Sequence, residues 1–141
     1  MSSLGLGRPD GRLRLEVARA VAAPAESAWS VLTDTDLWPL WGPSVRAVES
    51  PTREIAAGTR GRVGTVAGVW LPFEVETCAD RRWTWRVGGV PATGHRVDPL
   101  VGDRARVVFE VPLWAAPYVF VCWVALRRIA RLAESGAQSS R

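Results

Sequence analysis

Lysine and asparagine are absent from the chain, and histidine, tyrosine and methionine each occur once. All 18 basic residues are therefore arginine. Arginine hardly titrates, so the isoelectric point rises to about 10.4 although the net charge is only +4. Such uniform usage looks like a biased codon pool rather than selection at single sites. The arginines are scattered among 14 acids, most densely at Arg127, Arg128 and Arg131. No basic stripe or binding motif emerges, so nucleic acid is not an expected partner. The two cysteines, Cys78 and Cys122, have neither metal-ligand spacing nor the look of a disulfide framework. With a single histidine, no metal site and no cofactor are expected. Residues 1–10 lack an apolar signal region, which leads us to expect a cytoplasmic protein. The longest uncharged run, Val111 to Leu126, falls short of the ~20 residues that cross a bilayer, and Pro112 and Pro117 interrupt it. A buried core helix is the better reading of this run. Membrane association through it, aided by Arg127 and Arg128, is the lesser one.

Large apolar surface is plentiful. Eight tryptophans occur among 141 residues, 48% of the chain is hydrophobic and 23% is charged. That length and balance suit one domain with one core and exclude wholesale disorder. The indoles are available to fill that core or to line a pocket. We expect a loose, Gly/Ser-rich tail over residues 1–12, a single domain over 13–135 and a short tail over 136–141.

Alternation starts at Leu13. Leu13, Leu15 and Val17 share one side and Arg12, Arg14 and Glu16 the other, which predicts a half-buried strand to about Ala22. Pro24-Ala25-Glu26-Ser27 opens a helix to about Thr33, with proline in the first turn and Glu26 at its positive end. Asp34 and Asp36 cap a second short helix ending near Trp41-Gly42-Pro43. Further strands are predicted over 45–50, 59–66, 69–78, 82–87, 93–99 and 104–111. In the last of these, Ala105, Val107, Phe109 and Val111 face one way, Arg104, Arg106 and Glu110 the other, and Val108 breaks the rule. Turn residues between them suggest antiparallel hairpins. Pro72 argues for an edge or a bulge, and Gly58, Gly61, Gly64, Gly68, Gly88 and Gly94 offer bending points. A long helix is expected from about Trp114 to Ser135, stopped by Gly136. Its first half is apolar on every side and should be covered all round.

This order predicts an α+β fold in which a curved antiparallel sheet of six or seven strands wraps a long C-terminal helix. Such a sheet rarely closes on its helix along the full length, which leaves a cavity between them. The segments Val21-Ala22-Ala23-Pro24-Ala25-Glu26-Ser27-Ala28-Trp29, Leu32-Thr33-Asp34 and Trp38-Pro39-Leu40-Trp41-Gly42-Pro43 resemble the opening of START-like, birch-pollen-allergen-like helix-grip proteins. Within that superfamily (SRPBCC) the chain is most similar to the bacterial polyketide cyclase/dehydrase group. Gly58-Thr59-Arg60-Gly61, Trp85, His95-Arg96-Val97 and the helix after Pro117 extend the resemblance over residues 13–135. It implies the helix-grip fold. It leaves activity open, because the superfamily holds enzymes, lipid carriers and members without known activity. No catalytic signature transfers residue by residue.

The candidate ligand-binding residues are Trp38, Trp41, Trp83, Trp85, His95, Val97, Phe109 and Tyr118. Trp38 and Trp41 either gate the cavity mouth or plug one end of the core. Trp83 and Trp85 share a strand face with Val87 and either floor the pocket or fill the core. His95 is the candidate catalytic residue, as a general base or as an orienting group, although spacing places no carboxylate beside it. Tyr118 lies on the gripped helix, where a buried hydroxyl needs a partner. Glu74, Glu76, Arg82 and Arg86 suit cross-strand ion pairs on a solvated surface. Cys78 and Cys122 suit small buried apolar sites. The function expected is binding of a small hydrophobic, aromatic or polycyclic molecule between sheet and helix. The alternatives are a polyketide cyclase or dehydrase using the same cavity, and a membrane-associated stress or partner protein. Oligomeric state is left open.

Overall fold

The computed structural model of the chain describes residues 2–139. Eight strands form one antiparallel sheet: β1 (Ser2–Gly7), β2 (Arg14–Val21), β3 (Val45–Glu49), β4 (Arg60–Thr65), β5 (Trp70–Ala79), β6 (Arg82–Val87), β7 (Val90–Leu100) and β8 (Arg104–Pro112). Their spatial order is β1-β2-β8-β7-β6-β5-β4-β3. Helices α1 (Ala25–Thr33) and α2 (Trp38–Trp41) follow β2. A 3-10 segment, Leu113–Tyr118, leads into the long helix α3 (Val119–Ser139). The fold is α+β with the helix-grip arrangement. Register shifts in β3–β4, β5–β6 and β6–β7 add the local twist by which the sheet curves around its helix.

Alternation places the inner face of the sheet. Val17, Val21, Val75, Trp83, Val97, Val107, Phe109 and Val111 are all buried there. The buried stripe of α3 meets them with Val119, Cys122, Leu126, Ile129 and Ala133, at helical spacing. The far end of α3 is tied to the sheet by the Ala22 N–H, which donates to Glu134 Oε2 at 2.9 Å. Cys122 is fully buried, and that burial pushes its thiol up to about 12; burial also raises Cys78. Both thiols therefore stay protonated and act as apolar filling.

Several expectations need correction. Within the expected tail of residues 1–12, Ser2–Gly7 are not loose, because β1 pairs with β2 from Ser2 with Arg19 to Gly7 with Arg14. Its exposed Leu4 and Leu6 give no alternation signal; main-chain bonding to the free edge of β2 is what orders it. Pro72 lies in an interior strand rather than at an edge. Its missing N–H falls beyond the last β5–β6 pair, Phe73 with Val87, and its carbonyl accepts the Gly88 N–H at 2.8 Å. Trp114 is not in the α-helix, since Pro117 holds residues 113–118 in a 3-10 form, and Gly136 does not stop α3. The first half of that helix is not covered all round, because Phe120 and Val124 reach solvent. Of the six expected bending glycines, Gly58, Gly68 and Gly88 have positive φ, while Gly61, Gly64 and Gly94 give room to neighbouring groups.

The outer face carries a second, polar core. Glu16 and Glu110 stand directly opposite on β2 and β8, and Arg82 and Arg96 stand opposite on β6 and β7. Like charges in that position repel. Here they alternate: Arg96 Nη1 donates to Glu16 Oε2 at 2.8 Å and to Glu110 Oε2 at 3.0 Å, while Arg82 binds both oxygens of Glu110. Glu110 is 1% exposed. A Cβ at Gly94 would overlap its Oε1, so the glycine is the space that the carboxylate occupies. Arg82 is thus drawn away from the surface pairs that join Glu76 to Arg86 and Glu74 to Arg60. Removing one partner strands a buried charge, so Arg96→Met should cost about 2–3 kcal/mol, and Gly94→Ala a similar amount. Urea unfolding of either variant at the parental midpoint would show that the network is ornamental.

Candidate functional site

Beneath α3 the interior is divided into a filled half and an open half. Trp38 and Trp41 project inward from α2, and their indole N–H groups donate to the Leu32 carbonyl at 2.9 Å and the Val31 carbonyl at 3.0 Å. These are free carbonyls at the end of α1, so each tryptophan also terminates that helix. Trp38 stacks on Trp83 with centroids 5.3 Å apart and planes within 3°. Trp83 stacks in turn on His95 at 4.0 Å, and Phe109 meets the imidazole edge-on at 4.8 Å. Only about 30 Å³ remains between these rings, Tyr118 and Cys122. Trp38 and Trp41 therefore plug the core; they do not gate a mouth.

His95 has no free nitrogen. The Trp85 indole N–H donates to Thr93 Oγ1 at 3.3 Å, and that hydroxyl lies 2.9 Å from His95 Nε2. The Trp83 carbonyl, 3.4 Å from Nδ1, can only accept, so the proton of the neutral ring sits on Nδ1. Nε2 then accepts from the Thr93 hydroxyl, whose oxygen accepts from Trp85. Burial pushes the imidazole down to about 3, against a weaker opposing pull from that carbonyl. The ring is neutral and fully engaged at any physiological pH, which is poor equipment for a general base.

The open half lies nearer the end of the sheet where α3 begins. A cleft of about 320 Å³ is bounded by Val45, Val63, Leu71, Trp85, Val87, Pro112 and Tyr118, with Ala92, Trp114 and Ala115 toward solvent. Its polar groups are few. Thr93 stands at the floor, backed by His95. The Ser44 and Tyr118 hydroxyls are 2.7 Å apart and join the α2–β3 loop to the 3-10 segment across the opening. Lost hydration raises the Tyr118 phenol, and the Ser44 contact partly offsets this. A cleft of similar size on the outer face is lined by Asp10, Arg12, Arg14, Glu76, Arg82 and Glu110. Its charges belong mostly to the ion-pair network, which leaves the apolar cleft as the candidate site. Among the described residues no cluster of His, Cys, Asp or Glu could hold a metal ion.

Of the residues expected at the site, Trp85 and Tyr118 border the cleft. Trp38, Trp41, Trp83, His95 and Phe109 lie in the filled half behind it. Val97 borders neither space. It shares a face with Thr93 and His95, but each two-residue step moves about 7 Å along the strand, into solid core where α1 packs on β7. Ser44, Val45, Val63, Leu71, Val87 and Thr93 were not foreseen. Aliphatic side chains on alternating strands carry no mark that separates a cavity wall from a packed interior, though Thr93 shares the face of His95 and could have been found that way.

Residues 12–134 match the family described as polyketide cyclase/dehydrase and lipid transport. Solved structures repeat the fold. An aromatase/cyclase, ZhuI, from a Streptomyces species superposes with a TM-score of 0.67 at 18% identity, covering 86% of this chain and 93% of that one. The protein XoxI from Bacillus cereus gives 0.66 at 12% identity, with 84% and 93% covered. A START superfamily protein from Mycobacterium smegmatis gives 0.59 at 17% identity, with 91% and 99% covered. A search of curated protein sequences finds no match. At these identities the structures speak for the fold alone, and the match over residues 12–134 is what shows that this chain belongs to the polyketide cyclase/dehydrase and lipid-transport family.

Proposed function

We propose that the chain binds a small apolar molecule in the cleft between β3–β7 and the 3-10 segment. The observation that carries this is the cleft itself, about 320 Å³ with walls almost wholly aliphatic and aromatic. A volume near the lower end of the range for small-molecule sites suits one or two fused rings or a short acyl chain. A larger polycycle would need the Trp38–Trp83–His95 stack to move. Affinity would come from burial of ligand surface, at about 25 cal/mol per Å² before ordering costs, and orientation from the Thr93, Ser44 and Tyr118 hydroxyls. His95 acts behind Thr93 as a positioning residue: by accepting the hydroxyl proton it leaves the Thr93 oxygen turned toward Trp85 and the cleft. A cyclase or dehydrase reading finds only the Tyr118 phenol as a titratable group at the cleft wall, and lost hydration raises it away from neutrality, so binding is the reading favoured here.

Ala92 and Ala115 face the cleft and are small enough to be enlarged. Ala92→Phe with Ala115→Phe should lower the affinity for N-phenylnaphthylamine, read from its emission, by about tenfold or more while the unfolding midpoint changes little. No emission gain with the parent protein, or equal affinity in the filled variant, would remove the cleft as a binding site.

The neutral state of His95 has its own signature. Because the folded-state value lies near 3 and the unfolded one near 6.5, the unfolded chain binds the extra proton between those limits, and stability falls as pH drops through that window. The loss amounts to a few kcal/mol at most, on the order of 1.4 kcal/mol per pH unit. The sole histidine gives an unambiguous C2 proton NMR resonance, expected not to titrate between pH 8 and about 5 in the folded protein. A midpoint near 6.5 would restore His95 as a working base.

A further inference from the structure

We propose that β1 is a dimerisation edge, at which two copies of the chain pair antiparallel about a two-fold axis and join their sheets. β1 and β3 are the two edges of the sheet. Unpaired main-chain groups on an edge invite another strand, and proteins blunt them with charge, proline or a bulge. β3 is blunted in this way: it carries Arg46 and Glu49, and its register slips between Val45 and Ala47. β1 has none of these devices. Ser2–Gly7 contains no charge and no proline, and its six pairs with β2 run without a shift. Leu4 and Leu6 pair with Val17 and Leu15, so they share the sheet face on which α3 packs, one strand beyond β2. They are 52% and 65% exposed.

The strand selects its own kind. Ser3-Leu4-Gly5-Leu6-Gly7 reads almost the same in both directions, so a two-fold axis through Gly5 sets Leu4 against the partner's Leu6 and Gly5 against the partner's Gly5. A foreign strand would be chosen by side-chain pockets or by charge, and this edge offers neither. Directly opposite residues point to one face, so the four leucines form one cross-strand cluster and both α3 helices lie on the same side of the joined sheet. Arg8, the first charged residue beyond the strand, falls opposite the partner's Ser2, and like charges do not meet. Gly5 pairs with Glu16, close to where Arg14 meets Pro112 and the chain turns toward α3, so the axis lies level with the first turns of that helix. Phe120 and Val124 are exposed there, and Phe120 meets Trp123 edge-on at 5.3 Å. Arg127, Arg128 and Arg131 come later in the helix, away from the axis. An apolar centre with a charged margin is the anatomy of a protein interface. The apolar cleft takes no part in it, so this proposal stands apart from ligand binding.

Sedimentation velocity at micromolar concentration tests this. The parent protein should sediment as a dimer. Leu4→Lys with Leu6→Lys should weaken that dimer about tenfold or more, because like charges then meet across the axis. Leu4→Lys with Leu6→Glu sets opposite charges across the same axis and should keep the dimer within about threefold of the parent. Val101→Lys, in the exposed β7–β8 turn, should leave it unchanged. A monomeric parent overturns the proposal, as does a first variant that dimerises like the parent. Equal loss in both charge variants overturns the leucine-to-leucine register. Should the first variant lose its near-UV circular dichroism, Gly5→Cys carries the test, since a Cβ there meets nothing within 4 Å. Mild oxidation should link two such copies across the axis and leave Val101→Cys unlinked. Gly5→Cys that stays unlinked overturns the two-fold.

Discussion

The arrangement depends on a column of flat rings. Trp83 is clasped between Trp38 and His95, and the two α2 tryptophans are anchored to the last free carbonyls of α1. Aromatic stacking is non-directional enough to fill space well, but the two N–H bonds are directional and fix where α2 must lie. Because α2 is fixed, the half of the hollow beneath it is fixed as full. The residual opening is thereby pushed toward the strand ends, where side chains are aliphatic and the 3-10 segment crosses above. The cleft is a consequence of the plug.

His95 illustrates how the same column decides chemistry. In water an imidazole would titrate near neutrality, but here it lies between an indole face and a phenyl edge with both nitrogens engaged. Desolvation outweighs everything that could stabilise the cation. What is left for ligand chemistry is the threonine hydroxyl in front of it. The outer face shows the converse. Glu110 is as buried as His95, yet two guanidinium groups share its charge and Gly94 leaves it room. Burial with a partner preserves a charge; burial without one removes it.

Most elements could be placed from the chain because alternation and helical spacing are local properties. The strand from Arg14, the hairpins through β8, the stripe of α3 and the inward set of Trp83, Phe109 and Val107 all follow from period two or period 3.6. β1 escaped because its order comes from a partner strand and not from its own residues. Val108 and Glu110 escaped for a related reason: an outward position is buried only when neighbours on other strands cover it, as Arg82 and Arg96 do.

Residue chemistry and periodicity were thus sufficient for the class of fold, the gripped helix and the family resemblance. Two of the eight expected contact residues, Trp85 and Tyr118, proved to border the cleft. Which indoles pack solid and which face open space is a question of how elements far apart in sequence meet. The answer turns on hydrogen bonds such as Trp38 to Leu32 and on contacts such as Ser44 to Tyr118, 74 positions apart. A tryptophan carries the same area to a core as to a pocket, and only the surroundings assembled in three dimensions determine which of the two it serves.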